Sequence, residues 1–169
     1  MTSNVAETES DVLRLAEVKC QPIDRLLSEN GLSLVMVADN ESIPGSHWGD
    51  EEAGLIASSL YARRDTPVHS VLHEACHYFV MDEKRRAVLH TDAGGSAVEE
   101  SAVCYLQICL AERLTEVGAA RICTDMDRWG YSFRLGSTRA WFENDAEDAK
   151  KFLVERGVWS NFNLQLMTL

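Results

Sequence analysis

The chain has 169 residues, 46% of them hydrophobic, enough for one core and short for two independent domains, so a single domain spanning 1–169 is expected. Asp and Glu number 27 against 16 Lys and Arg, and the formal net charge of −11 sets a repulsive average field against nucleic acid, which argues against a DNA or RNA partner. No run approaches the ~18 apolar residues of a membrane span and the start, MTSNVAETESDVLRL, is polar and acidic, unlike a signal peptide, so a soluble cytoplasmic protein with no membrane partner is expected.

Residues 1–10 lack apolar periodicity and are expected to fray. Asp11 to Cys20 reads as one helix, and Pro22 opens a second that stops at Asn30-Gly31. Leu32 to Ala38 is a short apolar run of strand formers, and residues 39–53, with Pro44 and two glycines, read as a surface loop. Gly54 to Arg63 reads as a second strand. Thr66 as cap and Pro67 at the first turn then open a helix with apolar residues at Val68, Val71, Leu72, Ala75 and Phe79. A charged bend at Asp82 to Arg86 and a loop at Thr91 to Gly95 lead to a long amphipathic helix from Ala97 to Val117, stopped by Gly118. A helix from Ala119 to Arg128, a short strand at Tyr131 to Leu135 and a last helix from Ser137 to Arg156 complete the chain. Trp141, Phe142, Phe152 and Leu153 recur at helical spacing as core, and the acids from Glu143 to Asp148 read as a solvated face. Five cysteines (Cys20, Cys76, Cys104, Cys109, Cys123), odd in number and without a CxxC pair, read as reduced core residues. Two strands followed mostly by helices imply an α+β fold, a small two- or three-stranded sheet packed with helices.

The helix after Pro67 carries His73-Glu74-Ala75-Cys76-His77. Two imidazoles one turn apart share a helix face and can hold one cation, while Glu74 points at a different angle, as suits a carboxylate that deprotonates a water on the metal without binding the metal. Two imidazoles rarely suffice, so a third ligand comes from elsewhere. A metzincin would place a His at position 83, which is Glu, so that class is excluded. Glu99 is the leading candidate, because it falls on the apolar stripe of Ala102, Val103, Leu106, Cys109 and Leu110, and a core-facing carboxylate needs a partner. Competing with that role, Ser96-x-x-Glu99 is a capping-box pattern. Glu100, on the more polar face with Cys104, Gln107 and Ala111, is the next candidate, followed by His90 and Asp92. His69 extends the His73–His77 stripe by a turn, too far along a straight helix to share the ion, and Cys76 turns inward as packing. For a developing oxyanion, Tyr131 and Arg134, between flexible glycines, are the candidate donors.

The order of strand (Leu55 to Ala62), HExxH helix, short loop and a helix bearing Glu99-x-x-Ala102-x-x-Tyr105 resembles the small gluzincin metallopeptidases, in particular the ImmA/IrrE-like group. The likeness covers residues 55–110 and departs at Cys76, where the family has Gly, and at Val103, where it has Asn. It implies a minimal zincin-like fold, zinc held by His73, His77 and Glu99, Glu74 as general base, and a strand edge at Leu55 to Ala62 that receives an extended peptide or protein substrate. A weaker likeness runs to the elongation factor P hydroxylase, through Leu72-His73-Glu74-Ala75-Cys76-His77-Tyr78 and the later Arg85-Arg86. Two His and one carboxylate also form the facial triad of non-haem iron enzymes, so Fe2+ is the alternative metal. Three functions therefore compete: a zinc-dependent peptidase, an iron-dependent hydroxylase, and a metal-binding regulatory protein without turnover.

Overall fold

A computed structural model describes residues 12–47 and 50–169; the expectation for residues 1–10 falls outside them. The fold is α+β. Helix α1 (Cys20–Ser28) leads into strand β1 (Ser33–Met36), and β2 (Gly54–Ile56) and β3 (Ser59–Ala62) follow. Helices α2 (Val68–Val80), α3 (Glu83–Ala87), α4 (Ala97–Glu112), α5 (Ala119–Trp129), α6 (Thr138–Asn144), α7 (Glu147–Glu155) and α8 (Val158–Asn161) make up the rest. The sheet order is β1-β3-β2, with β1 parallel and β2 antiparallel to β3.

The segment expected as one strand, Gly54 to Arg63, is a hairpin. It folds back at Ala57, which takes a positive φ of 50°, and Ile56 pairs with Ser59 across the turn. Tight hairpin turns usually announce themselves by Gly or Asn at that position. Gly54, by contrast, is required by close approach: a Cβ there would sit 2.0 Å from the Pro44 carbonyl oxygen and 2.4 Å from the Ser46 nitrogen, where the preceding loop crosses the strand. The hairpin puts β3 in the middle of the sheet. The outer edge of β2 is also taken, because Ile56 bridges His90, Ala57 N donates to Leu89 O and Thr91 N donates to Leu55 O. The peptide-receiving edge implied by the resemblance is thus covered by the chain's own residues 89–91.

Other boundaries move for local reasons. Within the described part of residues 11–20 there is a single 3-10 turn, Leu15–Glu17, not a helix. This segment is extended against residues 66–67, with Leu15 N donating to Thr66 O, and Leu13 and Leu15 are buried on it. Thr66 does not cap α2; its hydroxyl accepts from Arg63 N in the preceding turn, and Pro67 occupies the cap position. The charged bend is α3, capped by Asp82, whose Oδ1 accepts from Arg85 N. Residues 131–135 form no strand, since Leu135 and Gly136 both adopt positive φ. The last helix is broken at Asp145 and Ala146 into α6 and α7, and Asp145 turns aside to pair with Arg134.

One apolar core runs from Leu13 to Leu164. At its centre is α4, whose residues from Ala102 to Ala111 are all buried, so this helix is covered all round and is not amphipathic. It packs against α2, α5 and α7, and α2 in turn packs on β3. Tyr105 of α4 stacks on Phe142 at 4.5 Å between ring centroids, and Trp141 and Leu153 are buried nearby, as their helical spacing implies. All five cysteines are free thiols, four of them buried. Among the described residues no helix is long and apolar enough to cross a membrane.

Candidate metal centre

On α2 only His73 and Glu74 escape full burial, so the helix opens to solvent at one place along its length. That place is the floor of a cleft of about 430 Å³, closed on one side by Thr91 to Gly95 and on the other by Glu52, Trp129 and Tyr131. The indole Nε1 of Trp129 donates to Glu52 Oε1 (2.9 Å), and Ser70 Oγ accepts from Ala53 N (3.0 Å), which together fix this second wall to α2 and α5.

Three ligand-capable groups converge on the floor: His73, His77 and Glu100. The two Nε2 atoms lie 3.2 Å apart, and the carboxylate oxygens of Glu100 lie 2.9 Å from His73 Nε2 and 3.1 Å from His77 Nε2. Tetrahedral zinc with bonds of about 2.0–2.1 Å separates its ligand atoms by about 3.3 Å, so the triangle has the size such an ion needs. Burial works against charge on Glu100, but hydrogen bonds from the two imidazoles hold its carboxyl well below the usual carboxylate range.

The orientation of His73 follows from a backbone group. The His69 carbonyl accepts from Gln107 Nε2 (2.9 Å), which turns Gln107 Oε1 toward His73 Nδ1 at 3.0 Å. That oxygen can only accept, so a proton is fixed on Nδ1, and Nε2 is the nitrogen turned to Glu100 and the one that would bind a cation on giving up its proton. Gln107 is fully buried. Gln107→Leu is therefore expected to lower metal affinity about 10- to 100-fold without removing a ligand, read by competition with a chelator of known affinity. Among the described residues His77 has no such support, and its buried Nδ1 has no partner.

Glu99, expected as the third ligand, is turned away from the centre. It is buried as its stripe predicted, but its partner is Arg85, which donates Nη2 to Oε1 (2.7 Å) and Nη1 to Oε2 (3.0 Å). Arg85 also donates to the Ala93 carbonyl and so ties the loop wall of the cleft to α4. Half of the capping box forms, with Ser96 Oγ accepting from Glu99 N. Gly95 passes so close that a Cβ would lie 2.8 Å from Glu99 Oε1. Arg86 satisfies the Tyr78 and Phe79 carbonyls at the end of α2. The Arg85-Arg86 pair thus holds structure beside the site.

The remaining candidates separate clearly. His90 is exposed, bonds Thr91 Oγ1 and does not line the cleft; Asp92 lines it, but its carboxylate accepts from Gly94 N. Arg134 pairs with Asp145 and does not line this cleft. Cys76 is core, its thiol pushed up by burial. His69 is not among the converging ligand groups. Glu74 lines the cleft beside the His pair, and burial raises its carboxyl above the ordinary value while the neighbouring imidazoles pull it back. Tyr131 lines the cleft with its ring edge-on to His73 at 5.6 Å, its phenol pushed up to about 12 by burial. Among the described residues lining the cleft none is Lys or Arg.

The signal that marks Glu100 is the polar stripe Glu100, Cys104, Gln107 on an otherwise apolar helix. Gln107 reaches His73 from that stripe, which makes it the site-facing side. No family model, no curated protein and no solved structure matches the chain.

Proposed function

We propose that the protein is a zinc-dependent metallohydrolase acting on a peptide or protein. The carrying observation is the triangle of His73 Nε2, His77 Nε2 and the Glu100 carboxylate at 2.9–3.2 Å, open to a cleft in which Glu74 stands free of that triangle. A zinc ion there would act as a Lewis acid and lower the pKa of water. Glu74, its carboxyl raised by burial toward the working pH, accepts the proton of the attacking water at its carboxylate oxygen and passes it to the leaving amine. Tyr131 supplies a hydrogen-bond donor at the cleft wall for the developing oxyanion. With the outer edge of β2 covered, the substrate enters through the cleft; among the described residues lining it there is no Lys or Arg to clamp a substrate carboxylate. A metal-binding regulatory role leaves Glu74 without a use, since a purely structural site closes its fourth position. Free thiols and the lack of a membrane-crossing helix among the described residues fit a cytoplasmic location.

The same donor set suits ferrous iron, so metal identity is the discriminating measurement. Protein purified without added metal is expected to carry about one zinc per chain, and a peptide library is expected to be cleaved with zinc present. Turnover only with ferrous iron and oxygen would replace the hydrolase by an oxygenase.

A further inference from the structure

His69 sits one turn before His73 on α2 and is 1% exposed, with the Trp129 ring 5.0 Å and the Tyr131 ring 5.5 Å from its own. Its Nδ1 is 3.4 Å from the Tyr131 hydroxyl and its Nε2 is buried with no partner among the described residues. Resting on the metallohydrolase reading, we infer that His69 is a positioning residue: its Nδ1–H donates to the Tyr131 oxygen and leaves the phenolic proton directed into the cleft.

The tautomer follows from what is left unsatisfied. A proton on Nε2 would strand an N–H donor in the interior, whereas a proton on Nδ1 leaves only an acceptor lone pair unpaired, the cheaper omission. Burial keeps the ring neutral, with its pKa lowered to about 3, so it carries one proton and not two. With the Nδ1–H of His69 donated to the phenol oxygen, the hydroxyl's own proton is directed into the cleft that Tyr131 lines. The backbone of His69 is held in the same network, because its carbonyl accepts from Gln107 Nε2 while Gln107 Oε1 accepts from His73 Nδ1. The length of the His69 contact suits a bond that tightens when the hydroxyl finds its acceptor.

Acetohydroxamate, a zinc-binding anion that places oxygen beside the metal, probes this without a substrate. Its affinity for the zinc-loaded protein is expected to fall about tenfold in Tyr131→Phe and comparably in His69→Phe, the loss of one hydrogen bond to a charged group. His69→Asn, which retains an N–H donor, is expected to bind the probe within about twofold of wild type, and the His69→Phe/Tyr131→Phe double variant no worse than Tyr131→Phe alone. Zinc content and circular dichroism should match wild type throughout. If zinc loads normally but His69→Phe binds acetohydroxamate like wild type, or the two losses add, the positioning role is overturned and the metallohydrolase reading stands. If the wild type takes up no zinc, both fall together.

Discussion

Glu100→Ala, like His73→Ala or His77→Ala, is expected to abolish stoichiometric metal binding, whereas Glu99→Ala keeps its metal and melts lower. Each of the first three removes one of three ligand groups, and the loss should exceed the roughly 100-fold cost of disturbing a supporting residue. Glu99 has a different task. Its carboxylate makes a bidentate pair with Arg85, and removing one partner of a buried pair costs up to about 3–5 kcal/mol. The Arg85 side chain remains 33% exposed and can turn to water, so the expected loss is nearer 2 kcal/mol. Metal analysis together with thermal unfolding separates the two adjacent acids. A Glu99→Ala protein that loses its metal while Glu100→Ala retains it would reverse the assignment.

Glu74→Gln is expected to leave metal content and fold intact and to lower turnover by at least about 10²-fold, because the amide cannot take a proton from the attacking water. Glutamine is nearly isosteric, so the partly buried side chain keeps its place beside His73. The result also bears on the alternative chemistry. In an oxygenase with the same ligands, oxygen is activated at iron and Glu74 ligates nothing, so much of the activity should survive the change. Single-turnover rates with zinc and with ferrous iron, compared between the wild type and Glu74→Gln, decide which reaction the cleft supports.

How far the chain could be read in advance depended on the range of the interactions involved. The one-turn spacing of His73 and His77 is a property of the helix itself, and the structure brings their Nε2 atoms together as that spacing implies. The helix at Ala97 was legible from Ser96 and the apolar run after it, but its all-round burial was not, because periodicity does not report how many neighbours a helix has. The hairpin at residues 54–62 carries no Gly or Asn at its tip, and its turn depends on Ala57 accepting a positive φ in a context that also bonds Ala57 N to Leu89 O.

The choice between Glu99 and Glu100 gives the sharpest contrast. Sequence alone established that two adjacent carboxylates follow the HExxH helix, that one lies on an apolar stripe and the other on a polar one, and that the first must be paired if buried. These are local statements, fixed by helix geometry and the cost of burying charge. It also established an acidic chain with an α+β order of elements and a carboxylate, Glu74, beside two imidazoles. Which partner meets which carboxylate depended on Arg85, fourteen residues before Glu99, and on Gln107, which reaches across from α4 to His73. Only the tertiary structure decided that the apolar stripe closes on an arginine while the polar stripe faces His73 and His77, because the direction in which α4 docks on α2 is set by the whole core and by no residue in the motif.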